Sequence, residues 1–155
     1  MSPDTMVSLL RELLYLIIVF DLFLMIGIIS GRQTLINIIT SLYLAFLLFM
    51  QFPYKSSIGD GTLPKLAFFV IISVLMYFLV KRIMPDQFQE NKLEGVGKKI
   101  LLSFGATILV TIFAIQSLGL GEFLTFGSPA EAIFAPAHLF FWWLVAPLTF
   151  LFIVS

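Results

Sequence analysis

Five long, predominantly apolar runs constrain this chain more than any other feature. They extend from about Leu13 to Ile29, Leu35 to Phe52, Leu66 to Val80, Ile100 to Leu118 and Leu139 to Val154. A helix crosses the hydrocarbon of a bilayer with roughly 20 predominantly apolar residues. Only helices and closed barrels satisfy every backbone N–H and C=O there. Barrel strands alternate apolar and polar residues, and these runs do not. The expectation is an all-α integral membrane bundle of about five transmembrane helices in a single domain, residues 1–155. The third run is short, but Lys65 and Lys81 at its ends extend it by snorkelling. The fifth is also short, so the alternative is four spans plus a re-entrant or interfacial segment.

Composition narrows the function classes. Of 155 residues, 60% are hydrophobic and only 12% charged, against about 25% charged in ordinary soluble domains. Mean hydropathy is +1.08. The chain has no Cys and a single His. Disulfides, thiolate metal sites and multi-histidine sites are therefore excluded, and no cofactor or metal is expected. Nine basic residues balance nine acidic ones, so nothing points to nucleic acid, whose readers carry a basic excess. The N-terminal run carries Asp21 and is followed by no small-x-small site, unlike a cleavable signal peptide.

Charge asymmetry sets the orientation. Arg32, Lys81, Arg82, Lys92, Lys98 and Lys99 fall on one side, with Arg11, Lys55 and Lys65 on the other. The richer side is cytoplasmic, which places the N-terminus outside and the C-terminus inside. The absence of a targeting segment with this pattern favours a bacterial inner membrane. The basic 81–99 loop is mainly a topology signal, with a lipid-headgroup or partner site as the alternative.

Helix ends are also written in the sequence. Ser2-Pro3 fits an N-cap followed by proline at the first helical position. Ser128-Pro129-Ala130-Glu131 fits a capping box, so a short outer-surface helix is expected there until Pro136. The apolar residues around it predict an interfacial position, and Trp142 and Trp143 fit an aromatic belt. Pro147 should kink the last helix.

The informative residues are the few polar ones. Asp21 lies eight residues from each end of the first run. A charge at that depth costs at least about 2.5–3.5 kcal/mol. Arg11 and Arg32 are about 15 Å of helical rise away. The short turn at Ser30–Gln33 makes helices one and two antiparallel neighbours. Helix two carries Gln33, Asn37, Thr40 and Ser41 on one face, so that face is expected to meet Asp21 or share a cavity with it. Asp21, Asn37, Thr40 and Ser41 form the expected intramembrane polar cluster. Two readings remain open: hydrogen-bonded packing glue, or a titrating acid on a transport path. Ser73 and the row Ser103, Thr107, Thr111 add hydroxyls at similar depth. Gly27-x-x-x-Gly31 matches the close-approach motif, read here as packing between helices one and two. Glu122, Glu131 and His138 are candidate titrating groups at the outer face.

Phe20-Asp21, then Gly27-x-x-x-Gly31-Arg32, then Leu93-Glu94-Gly95-Val96-Gly97 and Gly105 follow a recognisable order. An early acid precedes a glycine-basic turn, and a basic loop opens onto a small-residue helix start. Over residues 13 to 118 this layout resembles the colicin V production protein (CvpA) family of small polytopic membrane proteins. The order Gly31-Arg32 reverses that family's usual Arg-Gly pair. The resemblance implies an inner-membrane protein associated with toxin export and envelope maintenance, and gives Asp21 no catalytic role.

Three functions follow. The first is a non-enzymatic accessory, scaffold or envelope-maintenance role, with the lipid bilayer and a homo-oligomer or other membrane subunits as partners. The second is a small proton-coupled transporter or channel using Asp21. The third, an intramembrane enzyme, requires a Ser103–His138 pair, and the topology puts those residues at opposite faces.

Overall fold

A computed structural model describes residues 3–53, 61–84, 95–116 and 137–154. Every regular element among them is a helix: α1 (Pro3–Ser30), α2 (Arg32–Gln51), α3 (Thr62–Ile83), α4 (Val96–Gln116) and α5 (Ala137–Val154). Four contain windows long and apolar enough to cross a membrane: Leu10–Ser30, Arg32–Gln51, Leu63–Ile83 and Val96–Ile115. The fifth, α5, has 18 residues, and its apolar run from Leu139 to Val154 spans about 24 Å at 1.5 Å per residue. The third run does reach spanning length, because α3 continues through Lys81 and Arg82 into Ile83. The capping box expected at Ser128 lies outside the described residues.

Glycine makes the tightest turn. α1 and α2 are joined by Gly31 alone, at φ 90° and ψ 170°. Side chains are essentially barred from that region. The Gly31 N–H donates to the Gly27 carbonyl at 3.1 Å, and the Thr34 hydroxyl donates to the Ser30 carbonyl at 2.9 Å. These bonds satisfy carbonyls that a helix end otherwise leaves open.

α4 is the central helix. Of its apolar window 67% is buried, against 11% for α1 and for α3. It packs on α1, α2 and α5, while α3 packs mainly on α2. Two apolar clusters run along the α2–α4 seam. One joins Leu42, Ala45 and Phe49 to Phe69, Leu109, Ile112 and Phe113. The other joins Phe23, Leu35 and Ile39 to Leu102, Ala106 and Val154. Phe113 stacks on Phe46 with centroids 4.1 Å apart and meets the Phe69 ring edgewise at 5.9 Å. Arg32 donates to the Val154 carbonyl at 3.2 Å, tying the start of α2 to the end of α5.

Gly105 sets the closeness of α4 and α5. A Cβ there would lie 3.1 Å from the Phe150 ring and 3.5 Å from Pro147 Cβ. Pro147 has no N–H to give the α5 ladder. Three residues before it, the Leu144 carbonyl accepts a hydrogen bond from the Tyr43 hydroxyl. A side chain of α2 thus ties to α5 just before Pro147.

Candidate functional site

Asp21 points away from the bundle. It is exposed, as are Leu14, Ile18 and Met25 above and below it. The buried face of α1 carries Glu12, Phe23 and Gly27. Phe23 is two residues from Asp21, which at 100° per residue puts it almost on the opposite side. The rotation is fixed by Gly27, where a Cβ would meet the Leu35 side chain at 2.5 Å. Gly31, by contrast, has nothing within 4 Å of its Cβ position. The two glycines of the motif therefore do different work: Gly27 permits close packing and Gly31 permits the turn.

The polar face of α2 does not meet Asp21, contrary to expectation. Asn37 and Ser41 are buried. Ser41 lines a cleft of about 250 Å³ together with Ser73 and Tyr77 of α3. Ser41 thus faces α3, while α1 approaches α2 through Gly27 and Leu35, on another side of the helix. Its hydrogen bonds are local. Gln33 Nε2 donates to Asn37 Oδ1 at 3.3 Å. The Thr40 hydroxyl donates to the Ile36 carbonyl at 2.8 Å, and the Ser41 hydroxyl to the Ile38 carbonyl at 2.7 Å. Ser73 bonds the Phe69 carbonyl in the same manner, at 2.8 Å. Hydroxyls bonded to their own helix are held in place rather than offered to a ligand.

A second polar row runs inside the bundle. Lys99, Ser103, Thr107 and Thr111 recur every four residues on α4, and all are buried. Thr107 donates to the Ser103 carbonyl and Thr111 to the Thr107 carbonyl, each at 2.8 Å. The Tyr15 hydroxyl of α1 is hydrogen-bonded to the Thr111 side chain. The Ser103 hydroxyl is buried and has no hydrogen-bond partner among the described residues. One turn before Tyr15, Glu12 is only 4% exposed, and Lys99 at the other end of the row is 7% exposed. Charge counting alone places Lys99 with the basic residues that set orientation and gives Glu12 no role. Their helical spacing was the available signal: Glu12 shares the face of Phe23 and Gly27, and Lys99 extends the hydroxyl row by one turn.

An apolar cleft of about 410 Å³ opens between α1, α4 and α5, bounded by Leu16, Phe20, Phe104, Thr107 and Trp143. Asp21 does not line it. Among the described residues there is no group of three His, Asp or Glu able to hold a metal ion. Glu122 and Glu131 lie outside the described residues. So does the side chain of His138, whose backbone is in the first turn of α5, and with it the Ser103–His138 pairing. No family model, curated protein or solved structure matches this chain.

Proposed function

We propose that this is a small multi-span membrane protein with a non-enzymatic accessory or scaffold role, working as a subunit of an oligomer or larger complex. The observation that carries the reading is the outward direction of Asp21 near the middle of the Leu10–Ser30 window. Lipid offers an acid no hydrogen bond, and exposing one at mid-depth costs at least about 2.5–3.5 kcal/mol. A neighbouring membrane helix with a polar group at that level removes the cost. The layout of the first two helices and the 81–99 loop, which resembles the colicin V production protein family, supports an envelope-maintenance setting in a bacterial inner membrane. The distribution of basic residues supports N-terminus out and C-terminus in.

The alternative use of Asp21, proton-coupled transport, needs a polar path past it. The two clefts described above do not include Asp21. Two measurements on the same preparations separate the readings. In mild detergent, the wild type should run as an assembly larger than one chain, and Asp21→Leu should shift it to smaller size with helix content unchanged. In proteoliposomes, neither wild type nor Asp21→Asn should dissipate a pH gradient. A proton flux that Asp21→Asn abolishes, with assembly size unaffected, would make the protein a transporter.

A further inference from the structure

Resting on that reading, we infer that the partner on the outer face of α1 is a second copy of this chain, packed α1 to α1 with Asp21 against Asp21. Leu14, Ile18, Asp21, Met25 and Ile28 follow one another at steps of four, three, four and three residues. That alternation is the 3.5-residue period of a coiled-coil seam, in which each side chain enters a hole on a facing helix. The seam looks straight out of the molecule. Leu14 is 59% exposed, Ile18 55%, Met25 62% and Ile28 64%, and Asp21 is exposed with them. From Leu14 to Ile28 it runs about 21 Å, much of the thickness of a bilayer core.

The acid selects the occupant. Two copies inserted with the same orientation, related by a twofold axis along the membrane normal, carry Asp21 at the same depth. A twofold interface brings the same patch of each subunit together, so the one polar side chain in the seam meets itself. A protonated carboxyl both donates and accepts, and two of them bond each other with no net buried charge. The described hydroxyls near that level, of Thr40, Ser41, Ser73 and Thr107, are each bonded to a carbonyl of their own helix. Its described basic residues, Arg11, Arg32, Lys65, Lys81, Arg82, Lys98 and Lys99, all lie within a few residues of the ends of the apolar windows. A lone polar residue within an apolar seam also sets register, because any shift separates the pair. Gly27 does not serve this contact, being committed to Leu35 on the other side of α1.

The native chain has no cysteine, so single-cysteine variants report proximity directly. Leu14→Cys, Ile18→Cys, Met25→Cys and Ile28→Cys should form covalent dimers on mild oxidation in membranes. Their yield should be at least about fivefold above that of Leu47→Cys, Val74→Cys and Phe152→Cys, which are also exposed positions, on α2, α3 and α5. Adding Asp21→Asn, which keeps donor and acceptor, should preserve seam cross-linking, and adding Asp21→Leu should reduce it by half or more. Seam yields no higher than the controls overturn the self-pairing. If an Asp21-dependent assembly is then still present in detergent, the partner is a different membrane protein and the subunit reading stands. If no such assembly exists, both fail.

Discussion

Gly27→Ala tests the packing that orients α1. The added Cβ would sit 2.5 Å from Leu35 Cδ1 and 3.3 Å from its Cγ. The clash involves the end of a side chain, which normally swings away cheaply. Leu35 is fully buried, however, in a cluster with Phe23, Ile39 and Leu102, so either it or the helix must move. Forcing one extra carbon into a packed interior costs about 1–3 kcal/mol, roughly a 5- to 150-fold shift in the folding equilibrium. The partner change provides the control. Leu35→Ala alone leaves a cavity and is destabilising in its own right. In the double variant the new methyl occupies part of that cavity, so the two effects should be less than additive by about 0.5–3 kcal/mol. Reversible unfolding in bicelles or mixed micelles, followed by far-ultraviolet dichroism, yields all four free energies. Strict additivity, or Gly27→Ala as stable as the wild type, would refute the close approach and with it the orientation assigned to Asp21.

Four further outcomes are expected. Gly31→Ala should cost about 1–3 kcal/mol through backbone strain, with no relief from any change at Leu35, since nothing lies near its Cβ position. Tyr43→Phe removes the hydroxyl that bonds the Leu144 carbonyl and should destabilise by about 0.5–1.5 kcal/mol, with increased protease susceptibility confined to α5. Gly105→Leu should displace α5 from α4, because Phe150 and Pro147 already stand within 3.1 and 3.5 Å of the Cβ position; a changed Trp142 and Trp143 fluorescence with α1–α3 helix content intact is the readout. For topology, Lys98→Cys should react with an impermeant thiol reagent only from the cytoplasmic side.

Much of the fold was legible because length and apolarity are properties of a segment, independent of its neighbours. Runs such as Leu35–Phe52 and Ile100–Leu118 have few ways to exist in lipid other than as helices. Gly31 stands at a helix-to-helix turn for a reason local to its own backbone. The four-residue spacing of Ser103, Thr107 and Thr111 also sufficed to put them on one face.

Which way each face turned was not legible. α1 is apolar on nearly all sides, so no periodicity distinguishes its inner from its outer surface. Asp21 and the α2 stripe lie at matching depths, and depth alone suggested that they meet. The tertiary structure decided otherwise through two contacts, Gly27 on Leu35 and α3 across Ser41. The first rotates Asp21 outward and the second turns Ser41 toward α3. The sequence by itself determined that this chain is a set of long apolar helices and which few residues in them are polar. Only the packing of those helices decided that Glu12 and Lys99 turn inward while Asp21 turns out, because rotation about a helix axis is set by its neighbours and not by the helix.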